Sequence, residues 1–143
     1  MAVQGTLRDN VITLKNGTGE DAIPYRVYEI DTTEKQFKKV SGEGGSQIGV
    51  LLPNLDYEDQ VTGDGDEGSL QISGITDIDC DGSVSVGDYV KANDENGKVT
   101  SAGVLSDMSD ISAPMEITGR STEEGDDSRI AVILNPQILP KTT

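Results

Sequence analysis

The sequence predicts an all-β protein, a compact β-barrel or β-sandwich with extended arms at both ends. Apolar residues recur with period two, the spacing of a half-buried strand, rather than with the 3.6-residue period of a helix. The segments between these alternating runs are rich in Gly, Asp, Asn and Ser, which are turn-forming residues. No stretch of the 143 residues predicts a helix longer than about one or two turns.

The predicted strands follow from this alternation and from the turn signals that end each run. The first run stops at Asn16-Gly17 and the third at Pro53, whereas Asn96-Gly97 lies in a predicted hairpin turn between two strands. The last run is expected to end at Asn135-Pro136, because proline restricts the residue before it and cannot donate a hydrogen bond. In chain order the predicted strands are 11–15, 25–30, 48–52, 69–73, 88–92, 98–100 and 129–134.

The predicted domain organisation is an N-terminal arm, one barrel or sandwich, and a C-terminal tail. We assign 1–16 to the arm, 17–134 to the domain and 135–143 to the tail. In the arm, five apolar side chains would be exposed to solvent unless the segment paired with the sheet edge of a neighbouring protein. They are Val3, Leu7, Val11, Ile12 and Leu14. The alternative is that both ends are frayed termini.

Composition limits the core and the partners. The apolar fraction is 34%, with four Tyr, one Phe and no Trp, so the core should be thin and aliphatic. Such a core gains support when partner chains bury more surface, which favours an oligomer. The net charge of −15 would be repelled by nucleic acid and by anionic membranes, so we expect no nucleic-acid partner and no membrane partner.

Targeting and redox features are few. The single Cys80 cannot form an intramolecular disulfide. The first ten residues contain no apolar run of the signal-peptide kind, and no run approaches 18 apolar residues. We therefore expect synthesis in a cytoplasm.

Enzymatic activity is not expected, and no catalytic residue is assigned. The chain has no His, so neither Ser-His nor Cys-His pairs can form within it. Carboxylate pairs remain available among 26 acidic residues, but a glycosidase also needs a cleft, and few aromatic residues are present to line one. We therefore predict a binding or structural protein.

One acidic segment matches a calcium-loop pattern. Residues 77–88 spell D-x-D-x-D-G-x-x-x-x-x-D, in which Asp77, Asp79, Asp81 and Asp88 would be ligands. The last position is usually Glu, and the flanking segments predict strands where an EF-hand needs helices. An acidic surface turn is the alternative. We therefore assign no metal site and expect no cofactor, and Ca²⁺ is the one ion left as a candidate.

Several segments resemble the capsid decoration (cement) proteins of tailed phages. Residues 86–92 (VGDYVKA) and 96–99 (NGKV) are similar to the "G-D-x-V-K-A … G-K-V" hairpin of that group. Residues 48–52 (IGVLL), 124–126 (EGD) and 130–132 (IAV) resemble further strands of it.

The resemblance extends over residues 24–134 and implies a β-barrel or sandwich on the exterior of a capsid, often as a homotrimer. It implies the major capsid protein as partner and an N-terminal arm that pairs with the shell. The D-x-D-x-D-G segment departs from the pattern of the family. Two alternatives remain: a calcium-dependent binding module such as an adhesin or dockerin-like domain, and a phage tail or fibre component.

Overall fold

The strands of this protein form two sheets that pack together. A computed structural model describes residues 10–41, 47–53, 61–93, 95–102 and 115–140. Their strands are β1 (Val11–Asn16), β2 (Val27–Asp31), β3 (Gln36–Lys39), β4 (Ile48–Leu51), β5 (Glu67–Gln71), β6 (Gly74–Asp79), β7 (Ser83–Val84), β8 (Tyr89–Ala92), β9 (Val99–Ser101), β10 (Met115–Ser121), β11 (Gly125–Asp126) and β12 (Arg129–Leu139). The all-β prediction is confirmed. In these residues no helix has the length and apolarity needed to cross a membrane.

The first five strands form a closed barrel in the order β1-β3-β2-β4-β5. β5 pairs antiparallel with β1 from Val11↔Gln71 to Lys15↔Glu67 and so closes the barrel. β1 and β3 run parallel and pair at Lys15↔Gln36 and Asn16↔Phe37. Each of the five strands therefore has a neighbouring strand on both sides.

The remaining strands form a five-stranded sheet, β6-β12-β10-β8-β9, and a two-stranded ribbon, β11-β7. β8 and β9 are the predicted hairpin around Asn96-Gly97. β12 is the longest strand and pairs with β6 on one side and β10 on the other.

The largest core lies between the barrel and the five-stranded sheet. Val27, Ile48 and Val50 of the barrel pack there against residues of the sheet, among them Ile78, Val90, Val99, Ile130, Val132 and Leu134. Every residue of this cluster is aliphatic apart from Cys80, as the composition predicts. The barrel interior holds a second cluster that includes Tyr28, Phe37, Leu51 and Leu70. Tyr28 and Phe37 meet edge to face with ring centroids 5.1 Å apart.

Polar contacts also join the two sheets. Asp79 of β6 accepts hydrogen bonds from Arg26 Nε at 3.3 Å and Arg129 Nε at 2.9 Å. The Arg129 guanidinium lies 3.5 Å from the centroid of the Tyr25 ring. The Val27 amide, at the start of β2, donates to Gly97 O in the β8–β9 turn at 2.8 Å.

The structure corrects both predicted boundaries. Residues 11–16, predicted to belong to the arm, form barrel strand β1, because their period-two pattern finds partners in β5 and β3. Residues 135–139, predicted as tail, continue β12. Pro136 is accommodated because the β10–β12 register shifts between Ile117 and Gly119, and a bulge tolerates a residue without an N–H.

Candidate functional site

The predicted arm residues divide into two groups. Val3 and Leu7 lie outside the residues that the structure describes. Val11, Ile12 and Leu14 lie in β1, where Ile12 and Leu14 pack against the core of the barrel. Ile12 and Leu14 therefore have packing partners within the chain.

One end of the barrel is closed by a buried polar side chain. Asn16, at the end of β1, is 1% exposed. Its Nδ2 donates to the carbonyls of Glu20 at 2.8 Å, Thr62 at 2.9 Å and Gly63 at 3.2 Å. Its Oδ1 accepts from the amide of Thr18 at 2.9 Å and from the Thr18 hydroxyl at 2.7 Å. Asn16 thus ties the chain after β1 to the chain before β5.

The opposite end of the barrel is an open apolar mouth. It is lined by Ile12, Ile30, Thr32, Gln47, Ile48, Ile72 and Pro136, and it encloses about 360 Å³. These residues come from β1 near its start, from the end of β2 and the chain after it, from the start of β4 and the residue before it, from the residue after β5, and from the β12 bulge. None of these described residues is charged, and Thr32 and Gln47 supply the polar groups of the lining.

A polar pocket of about 210 Å³ lies beside the barrel and has Glu20, Arg26, Tyr28 and Lys39 among its lining residues. Lys39 forms an ion pair with Glu20, and this contact raises the pKa of Lys39. Burial raises the pKa of Tyr28, although the Ile23 amide donates to its hydroxyl at 2.8 Å and opposes that effect. Arg26 pairs with Asp79 and Lys39 pairs with Glu20, so both basic groups named here already contact a carboxylate.

The structure separates the acidic residues of the calcium-loop pattern. Asp77 and Asp79 lie on strand β6, and the Asp79 carboxylate binds two arginines. Asp81 accepts from Asn93 at 2.9 Å, and Asp88 accepts from the Ser85 amide at 2.9 Å. Across the described ranges, no group of three or more His, Cys, Asp or Glu side chains has a metal-binding arrangement.

Sequence reasoning missed the exposed edge of the second sheet. Ile75 of β6 is 66% exposed, and its cross-strand partner Ile133 of β12 is 44% exposed. β6 is the first strand in the sheet order, with β12 as its one neighbouring strand. The alternation of residues from Gly74 to Asp79 predicts a strand, whereas the spacing of the acidic residues in the same segment also fits a calcium loop.

Comparison with solved structures identifies a shared fold. No protein-family model matches the chain, and no curated protein sequence matches it significantly. Among solved structures, the chain is similar to the N base of head fiber gp8.5 in bacteriophage phi29, with a TM-score of 0.52 and 12% sequence identity. The alignment covers 87% of this chain and 94% of that chain. At this identity the likeness establishes that the two chains share a fold.

Proposed function

We propose that this chain is a structural protein of a tailed-phage virion that binds the outer surface of the head and stabilises it as a decoration protein. The observation that carries the proposal is the fold shared with a phage head-fibre base over most of both chains. The hairpin at 86–99, which resembles that of decoration proteins, supports it independently. A fold alone does not fix a function, so the assignment rests on this combination.

The physical properties of the chain suit that role. The barrel and the sheet share one aliphatic core, and the Arg26–Asp79–Arg129 contacts join them, so the body can resist deformation. The net charge of −15 favours solubility of the protein and of the surface that it presents to solvent. Decoration requires binding surfaces and no catalytic group.

We infer that the partner is the major capsid protein and that three copies assemble at each site on the shell. The contact to the shell would come from residues 1–9, which contain Val3 and Leu7. An extended segment with apolar residues can add to a sheet edge, because backbone hydrogen bonds carry much of the affinity. β1 would remain in the barrel and anchor that segment.

Binding to empty phage heads that lack this protein tests the proposal. A chain without residues 2–9 should keep its melting temperature and lose head binding, since β1 stays complete. The double variant Val3→Asp/Leu7→Asp should also lose binding. A matched control, Gln4→Asp, adds charge to the same segment without removing an apolar side chain and should bind. Full binding by the truncated chain would refute the role of the arm.

A second candidate is the base of a fibre, because the phi29 chain of similar fold is the N base of a head fiber. The two candidates differ in where the protein lies on the particle. Electron microscopy of virions labelled through an added C-terminal tag distinguishes them. A decoration protein should appear at many symmetry-related positions across the head, whereas a fibre base should appear only where a fibre emerges.

A further inference from the structure

We propose that the free edge of β6 binds an extended strand of a partner protein, in which a basic residue is followed two positions later by an apolar residue. This site is separate from residues 1–9. The identity of the partner as a shell protein rests on the proposed function, whereas the binding chemistry follows from the edge itself.

The backbone of β6 has unused hydrogen-bonding groups on the side away from β12. Asp79 N donates to Tyr25 O at 2.9 Å, so the odd-numbered residues of β6 direct their backbone groups away from β12. Ile75 O accepts from Gln71 Nε2 at 3.0 Å on that same side. Between these two contacts lie the Ile75 amide and both backbone groups of Asp77. In the described structure none of the three has a partner.

The other edge of this sheet is better covered. Val99 of β9 forms a parallel bridge with Cys80, and its carbonyl accepts from the Asp81 amide at 2.8 Å. Edge strands are often protected by charged side chains, proline or a bulge; β6 has no proline and no bulge, and its charges are the carboxylates of Asp77 and Asp79, which select for a basic partner. Its exposed edge is therefore the better template for an added strand.

The side chains beside these backbone groups define what the added strand must carry. Ile75 is 66% exposed, and Asp77 is exposed on the same face of β6. The Asp77 carboxylate lies outside the ion pairs of Asp79 with Arg26 and Arg129. An antiparallel strand would place one side chain beside Asp77 and the side chain two positions later beside Ile75. Lys or Arg complements the first position, and Ile or Val the second.

Charge disfavours a second copy of this chain as the occupant. Antiparallel pairing of two β6 edges would set Asp77 against either Ile75 or the same carboxylate of the other copy. Each copy brings Asp77 and Asp79 to this edge, so pairing of two copies here would bring like charges together. A partner with a basic, β-forming segment is therefore the occupant to which we commit.

The test uses the full chain and the synthetic peptide Thr-Thr-Lys-Thr-Ile-Thr-Thr, with hydrogen exchange of individual amides followed by NMR. The peptide should slow exchange of the Ile75 and Asp77 amides. Three matched peptides serve as controls: Glu in place of Lys, Thr in place of Ile, and N-methylation of the backbone at Lys. N-methylation removes the N–H that donates to Asp77 O, so it should abolish protection while leaving the charge unchanged.

Charge reversal separates the proposed geometry from general attraction to an acidic protein. Asp77→Lys should weaken the Lys peptide about five- to tenfold and strengthen the Glu peptide similarly, since an exposed pair is replaced by a repulsion. Glu116→Lys, which makes the same charge change on β10, should leave both affinities within about twofold. Equal effects of the two variants, or protection by the N-methylated peptide, would overturn the proposal. Loss of head binding by the arm variants would not affect these outcomes.

Discussion

The buried amide of Asn16 gives the sharpest stability test of the fold. Asn16→Asp keeps the size and shape of the side chain and replaces the Nδ2 donor by an oxygen. The carbonyls of Glu20, Thr62 and Gly63 then lose their shared donor and face a carboxylate instead. Leaving a buried acceptor unpaired costs about 1–3 kcal/mol, and a buried unpaired charge costs more.

Two of the three bonds are short and one, to Gly63, is longer at 3.2 Å. We therefore expect Asn16→Asp to lower the free energy of unfolding by about 3–5 kcal/mol. For a chain of this size, that corresponds to a fall of about 10–17 °C in melting temperature. Circular dichroism with heat and with urea measures both quantities.

The control is Asn135→Asp, which makes the same chemical change at an exposed position of β12. It should alter the free energy of unfolding by less than about 0.5 kcal/mol. If Asn16→Asp melts within about 2 °C of the unmodified chain, Asn16 does not hold the barrel closed and the reasoning is wrong.

Three further predictions concern the turn, the pH dependence and calcium. Gly97→Ala should destabilise by about 3 kcal/mol or more, because its Cβ would lie 2.4 Å from Val27 O at a φ of +77°. Gly19→Ala has a φ of +84° and open space, so urea titration should show about 1–2 kcal/mol there, the cost of the backbone conformation alone. The raised pKa values of Tyr28 and Lys39 mean that the folded chain holds these protons more tightly than the unfolded chain. Their stabilising contribution is therefore present below the unfolded pKa values of 10.0 and 10.5 and is lost as pH rises through the folded values. Urea unfolding from pH about 9 to about 11.5 should show the free energy of unfolding decline, and this decline should be shallower in Tyr28→Phe. The melting temperature should be the same in calcium and in a chelator, and a calcium-dependent increase would restore the metal-dependent module as a candidate.

The sequence was sufficient for strands whose alternation ends at a strong turn signal. β1 ends at Asn16, and the β8–β9 hairpin surrounds Asn96-Gly97, both as predicted. It was not sufficient for β3, where the polar run around Phe37 has a single buried apolar residue, or for β10, where Gly119 interrupts the pattern. Closure of the barrel was unpredictable in detail, because the parallel β1–β3 contact joins segments whose pairing depends on tertiary packing.

The spacing of the acidic residues in 77–88 fits both a calcium loop and a β-strand. Ligands at every second residue define the start of a calcium loop, and side chains at every second residue also share one face of a strand. The intervening residues distinguish the two cases. Thr76, Ile78 and Cys80 are all buried, so the segment continues one alternating pattern with its acidic residues outward. Asp79 then pairs with arginines from two other segments, which connects the sheet to the barrel, and Asp77 remains at the exposed edge. An apolar residue between each pair of carboxylates, here Ile78 and Cys80, therefore favours a strand, and that criterion predicts β6 from the sequence, whereas its position at the edge of the sheet is set by tertiary pairing.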